Sequence, residues 1–391
     1  MATALSRARS AGMSATSGKD YTAEGLRGVA ALSVWLAHFC LTFFPAGFSL
    51  LYPALQTTPA AEGPMERFLR MPVLSAFWDG NFAVAIFFVL SGYVLSKPYY
   101  FGRNLESLRD RYLRRYFRLA IPIAASVFVG YGLMKLGTFQ NIAAANVSHS
   151  DWLRSFFVVP ATVTGAIQDS LYRVMFLGEA RFNPPLWTMR VEFVGSLITF
   201  AFYALMPEGP VRKCLHYAIA LASIILFTGA DAIYYCAFLA GALLWVIPAP
   251  RAAWNWALLA LGIGLGGYQF DGFYGWLQAP AGYDAKAFYN TFGAFAILWA
   301  LRSGMLDFAL ASRLGRTLGR LSFSLYLTHF FVLSTFSCWF FVRFAPIWPR
   351  WEVALVDFVL STPLLFIAAY IFERFVDRPG VALSKRIVEA R

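Results

Sequence analysis

Charge is what this chain has least of. Asp, Glu, Lys and Arg together supply 14% of its 391 residues, where a soluble globular domain carries nearer one quarter, so a surface wetted on every side is excluded. Histidine is scarce, with four in the chain. So is cysteine, also four: Cys40, Cys214, Cys236 and Cys338 are scattered through apolar sequence without paired spacing. That spacing argues against both a disulfide framework and a metal site. Repeats of solenoid period and low-complexity tracts are missing too. No short apolar core with a cleavage site precedes the first long apolar run, so a cleaved signal peptide is not expected, and residues 1–20 read as a short cytoplasmic tail.

What the chain has in excess is apolar side chain, 59% hydrophobic and 18% aromatic, with a mean hydropathy of +0.57. Runs long enough to cross a bilayer fall at 24–44, 80–97, 116–137, 184–206, 214–229, 231–249, 254–270, 287–303, 321–345 and 352–374. The pattern predicts an all-α fold, a polytopic membrane helical bundle of about ten transmembrane helices. The net charge of +12 does not by itself point to nucleic acid, because Lys and Arg gather in cytoplasmic loops and on anionic lipid. With the N-terminus inside, Arg7, Arg9, Lys19, Lys97, Arg103, Arg109, Arg212, Lys213, Arg251, Arg302, Arg313, Arg316, Arg320, Arg374, Arg378, Lys385 and Arg386 all fall on that side, so both termini are expected to be cytoplasmic.

Two opposite-side loops are long, 45–79 and 138–183, and long loops often carry function. Within the second, Asp151 to Phe157 reads as an interfacial amphipathic turn of helix. A third, Tyr268 to Lys286, is rich in Gly, Tyr, Trp and Asp; a membrane-interface aromatic belt and a surface for stacking on sugar rings both suit it.

The chemistry-bearing residues begin in the first run. Arg27 and His38 are eleven residues apart on one helix, about 16 Å, or half of a bilayer core. An ionisable side chain inside a span is a functional candidate, although a packing histidine is the plain alternative. Phe87 to Ser96 places Ser91-Gly92 at the centre of a helix, where small residues let a neighbour approach. Arg111, Arg114, Arg115 and Arg118 recur at three- and four-residue steps and share one helical face. Such a stripe suits bidentate binding of phosphates, as in a nucleotide or coenzyme A, and equally suits anchoring on anionic lipid. Pro185 to Phe193 opens the fourth span from the outer side, with Trp187 and, about 8 Å further on, Glu192. That carboxylate wants a partner, Arg190 or a histidine. Leu318 to Phe330 carries Ser322, Tyr326 and a second intramembrane histidine, His329. At the far end, Phe372 to Pro379 leaves the membrane into a basic tail, with the proline expected to end the helix.

In this order, these stretches resemble the acyltransferase family 3 of integral membrane proteins, over essentially the whole chain. The match rests on Gly25-Leu26-Arg27-Gly28 through His38, Phe-Phe-Val-Leu-Ser-Gly at 87–92, the arginine run before Pro122, Leu186-Trp187 with Glu192, Ser322 to His329, and Asp377-Arg378-Pro379. It departs at Ala83-Val84-Ala85, where many members carry a Gly-Val-Asp lead-in. The chain also ends soon after the tenth run, without the fused periplasmic hydrolase-like domain of longer relatives, so acceptor handling is expected in the membrane domain.

The resemblance implies transfer of an acyl group, usually acetyl, from acyl-CoA on the cytoplasmic side to a hydroxyl on the other. The acceptor would be a cell-surface glycan, lipid-linked saccharide or other exported molecule. It divides the chain into the tail 1–20, an acyltransferase transmembrane domain 21–380 and a cytoplasmic tail 381–391, in a multi-pass protein of a bacterial inner membrane, contacting membrane lipids and no nucleic acid. On this reading His38 is the general base, Glu192 orients the imidazole or stabilises the imidazolium, and Arg27 binds donor phosphate or supports the fold. Arg111, Arg114, Arg115 and Arg118 hold the CoA phosphates, while Ser91, Trp187, Ser322, Tyr326 and His329 line or pack the site, with no metal. Direct transfer and an acyl-histidine intermediate both fit. A transporter or flippase of a lipid-linked saccharide is the alternative that would also use ten spans and buried ionisable groups.

Overall fold

Asp20 opens the first helix by accepting a hydrogen bond from the Ala23 amide at 3.0 Å, and Pro45, which has no amide hydrogen, follows its end. The structure, a computed structural model, describes residues 20–55, 62–102, 105–280 and 282–389. The expected cytoplasmic residues Arg7, Arg9, Lys19 and Arg103 lie outside these. The long helices are α1 (Tyr21–Phe43), α2 (Gly80–Gly102), α3 (Leu105–Lys135), α4 (Thr188–Ala204), α5 (Pro210–Phe227), α6 (Ala232–Leu243), α7 (Ala252–Gly266), α8 (Ala285–Leu301), α9 (Arg313–Val332) and α10 (Arg350–Phe372). Caps from Asp284 and Ser312 start α8 and α9, and Pro210 is the first residue of α5.

Each of the ten apolar runs is therefore one helix, and the described residues include no strand. Among the described residues, six helices are long and apolar enough to cross a membrane. The other four, α4, α6, α7 and α8, have 17, 12, 15 and 17 residues, short of the roughly 20 that a full span takes. The protein is an all-α polytopic membrane bundle. Its outer faces are apolar and exposed, as lipid requires: Leu215, Ile219, Leu226 and Phe227 on α5, and Leu355, Val359, Ile367 and Ile371 on α10.

At the centre, α1 and α9 run parallel in close contact. A Cβ added to Gly28 would stand 2.6 Å from Leu318, and one on Gly319 would stand 2.2 Å from the Glu24 carbonyl oxygen, so neither position tolerates a side chain. The close approach also sets the register. His38 lies ten residues past Gly28 and His329 ten past Gly319, a rise of about 15 Å on each helix, and the two imidazoles therefore meet.

Two helices continue beyond a widened turn. α9 passes through a π turn, Leu333–Ser337, into Cys338–Phe344, and α10 through Glu373–Asp377 into Arg378–Glu389. Pro379 accordingly does not end the last helix. It is the second residue of the segment after a π turn, where the loss of one amide hydrogen bond is tolerated, and Gly380 beside it packs on Ile121 of α3. The fourth run also differs from expectation. Residues Pro184–Trp187 form a tight turn before α4, and Asn183 donates to Ser126 Oγ at 2.6 Å and to the Leu327 carbonyl at 2.8 Å, so α4 starts against the middle of α9.

Candidate active site

His329 is the fixed point of the site. Its Nδ1 faces two backbone carbonyls one turn back, Tyr326 O at 2.8 Å and Leu325 O at 3.2 Å, and therefore carries the proton. Its Nε2 is then an acceptor, and it lies 2.8 Å from Nδ1 of His38. His38 Nδ1 must donate, which leaves Nε2 as the basic atom of the His38 ring. Neither Glu192 nor Tyr326 holds the His38 imidazole through a side-chain hydrogen bond; His329 does.

His38 lines a cavity of about 500 Å³ with Trp152, Trp187, Tyr52, Asp284, Lys286 and Tyr326 among its walls, a volume suited to a small ligand. Trp152 stands 5.1 Å from His38, centroid to centroid. The turn Asp151–Arg154 closes over the histidine on its inner side: Leu153 is fully buried, and Ser150 Oγ reaches the Leu41 carbonyl at 3.2 Å. Trp187, 39% exposed, is on the rim. In the aromatic loop, Phe270 lines the same cavity while Phe273 and Trp276 are exposed.

A second cavity of about 240 Å³ is lined by Arg27, Ser91, Arg115, Arg118, Glu192, Ser322 and Tyr326. Glu192 is paired with Arg115 and accepts from Ser91 Oγ at 2.9 and 3.0 Å, while Arg115 Nε donates to Ser196 Oγ at 2.8 Å. Arg118 pairs with Asp377 at 2.6 Å. Each of those guanidinium groups is thus balanced by a carboxylate. Arg27 is not: it makes no hydrogen bond or ion pair among the described residues, and its charge is left for whatever enters. Of the expected arginine stripe, Arg115 and Arg118 line the cavity and Arg111 and Arg114 do not.

Val84 and Tyr326 line both cavities. The Tyr326 hydroxyl stands 2.8 Å from Thr188 Oγ1 and 2.8 Å from the Pro185 carbonyl, which ties this wall to the start of α4. An arginine-lined chamber and a histidine-lined chamber thus share one wall, with a base of fixed tautomer on the second side.

Residues 20–374 match the family described as an acyltransferase domain. The chain belongs to this family of membrane acyltransferases. It is similar to an O-acetyltransferase, PaAT-1 of Phomopsis amygdali, with 28% identity over 229 residues, 52% of this chain and 44% of that one. It is also similar to acyltransferase clz18 of Cochliobolus lunatus, with 23% identity over 450 residues, 91% of this chain and 93% of that one. The acyltransferase thus spans less than half of the first relative and nearly all of the second. No solved structure matches it.

One cluster in this acyltransferase escaped the sequence reading. Asp79 and Lys286, both fully buried, form an ion pair on the wall of the histidine cavity. Tyr52 donates to Asp79 at 2.8 Å, the Asn81 amide does so at 2.9 Å, and Lys286 donates to the Tyr268 carbonyl at 3.0 Å. The available signal was that an acid and a base sit at the openings of the second and eighth apolar runs, where an ionisable residue needs a partner.

Proposed function

We propose that this acyltransferase moves an acyl group, acetyl above all, from cytoplasmic acyl-CoA to a hydroxyl of an exported acceptor, a glycan or lipid-linked saccharide in the first instance. The single observation that carries the reading is the wall shared at Tyr326 between a chamber holding an unpaired arginine and a chamber holding an imidazole with a free Nε2. One relative is an O-acetyltransferase by name, which supports oxygen as the acceptor atom.

Arg27 would take a donor phosphate beside the carboxylate-paired Arg115 and Arg118, and the pantetheine arm would carry the thioester past Tyr326. His38 Nε2 takes the proton of the acceptor hydroxyl as its oxygen attacks the thioester carbonyl. The carbon–sulfur bond breaks, and the imidazolium returns the proton to the departing sulfur, giving an ester and CoA thiol. His329 accepts from His38 Nδ1–H throughout, holding the tautomer and stabilising the transient imidazolium. Glu192 serves by fixing Arg115 and Ser91 rather than by touching His38. Both termini are assigned to the cytoplasmic side on the Lys and Arg bias of the loops, in a bacterial cell membrane on the shortness of those loops.

The test uses sealed vesicles of the overexpressed protein with labelled acetyl-CoA on the cytoplasmic side. Label in extracted saccharide, with stoichiometric thiol release, is expected. Movement of a lipid-linked saccharide without thiol release would establish the transporter reading instead.

A further inference from the structure

The two cavities differ in the charge they leave open. In the arginine cavity it is positive, at Arg27; in the histidine cavity it is negative, at Asp284. The other ionisable groups on the histidine side are accounted for. Lys286 is neutralised by Asp79, both fully buried, and its ammonium lies 4.9 Å from the centre of the Tyr52 ring. His38 gives its one ring proton to His329 and is uncharged as the base. The Tyr52 hydroxyl donates to Asp79, and that of Tyr326 is held by Thr188 and the Pro185 carbonyl. Among the described residues, the Asp284 carboxylate enters no ion pair.

The fold holds this carboxylate in place. Asp284 caps the start of α8, where its Oδ1 accepts from the Ala287 amide at 2.7 Å. A carboxylate has lone pairs to spare after one such bond, so its second oxygen is left for whatever occupies the cavity. The surrounding walls act in the same sense. Trp152, Trp187 and Phe270 line the cavity with Asp284, and the negative face of an aromatic ring attracts cations and repels anions.

The cavity of about 500 Å³ is about 10 Å across, a distance over which one charge at the edge of a protein interior still alters binding several-fold. Asp284 is exposed to solvent as well as to the cavity, so screening keeps the effect at the lower end.

We propose that Asp284 selects the acceptor by charge: the histidine cavity takes hydroxyl compounds that are cationic or neutral beside the reacting oxygen and turns away carboxylated, sulfonated or phosphorylated ones. A neutral or amino sugar fits this rule and a uronic acid does not. The inference rests on the transfer reading above. It also gives the opposite charges of the two cavities a common purpose, since the phosphates of the donor are drawn to Arg27 and repelled from the side where the acceptor sits.

The experiment measures thiol release from acetyl-CoA by the full-length protein in lipid nanodiscs with three small alcohols: choline, its neutral isostere 3,3-dimethylbutanol, and 2-hydroxyethanesulfonate. Where an alcohol is not itself acetylated, its inhibition constant against transfer to an acceptor extract gives the same ordering. The wild type is expected to favour choline over the neutral alcohol by about 3- to 10-fold, and the neutral alcohol over the sulfonate by a similar factor. Asp284→Asn, which keeps an oxygen for the cap, should bring the three within about 2-fold of one another. Asp284→Ser, also a capping residue, carries the comparison if the Asn variant does not accumulate. Equal constants for the three alcohols in the wild type overturn the inference, as does an ordering that survives in Asp284→Asn; in both cases thiol release leaves the transfer reading standing. Absence of thiol release with all three alcohols and with the extract removes the transfer reading, and the inference with it.

Discussion

His38 Nδ1 and His329 Nε2 stand 2.8 Å apart, and the far nitrogen of His329 is committed to the Tyr326 carbonyl at the same distance. The chain of donors runs one way, from each Nδ1–H outward, and so selects one tautomer of His38. Replacing His329 with Ala is therefore expected to lower kcat by roughly 10- to 100-fold, a part of what a positioned base supplies, with little change in the KM for acyl-CoA. His329→Asn, whose amide oxygen can accept from Nδ1–H, should recover part of the loss. Steady-state kinetics on purified protein separates this from a structural role, in which kcat and KM would fail together.

The arginines should divide by position. Arg27 lines its cavity without a partner, while Arg114 lies off it. A charge-assisted hydrogen bond contributes about 1.5–3 kcal/mol, so Arg27→Ala is expected to raise the acyl-CoA KM roughly 10- to 100-fold. Arg114→Ala should change it by less than about 2-fold, as a solvent-side charge does. Calorimetric titration with the free coenzyme checks the same ordering without turnover.

The Arg115–Glu192 pair has side chains only 14% and 15% exposed. Neutralising one member strands the other, a loss of about 3–5 kcal/mol, whereas replacing both with apolar residues recovers much of it. Thermal unfolding of Arg115→Met, Glu192→Leu and the double variant should show the double as the more stable of the three.

The helix contact that sets the histidine register gives a fourth expectation. Gly28→Ala inserts a Cβ 2.6 Å from Leu318 and should reduce both membrane accumulation and activity. Gly132→Ala, on α3 with nothing within 4 Å of its Cβ, should be neutral or stabilising by up to about 1 kcal/mol. Expression and activity of the two variants, measured side by side, test the claim.

Much of this architecture was legible beforehand, because apolar run length reports helices directly. Arg27, His38, Arg115, Arg118, Ser91, Ser322 and Tyr326 all line one of the two cavities. What could not be read was pairing. His38 meets His329 across 291 positions, and Lys286 meets Asp79 across 207. Those meetings depend on a register set by close backbone contact, as at Gly28 and Gly319, and hydrophobic period carries no information about it. The placing of Trp152 over His38 was hidden for a related reason, since an amphipathic turn looks the same whether it covers lipid or a bundle. The proline reading at 379 failed because a π turn makes room that composition does not announce.

The most direct measurement of the central claim is release of free thiol from acetyl-CoA, with an acceptor extract present, by wild-type protein and by His38→Ala at matched membrane amounts. The account predicts a fall of roughly 10²- to 10⁴-fold in the variant, with binding of the coenzyme retained at the arginine cavity. Equal rates in the two proteins would contradict it and remove His38 from the chemistry.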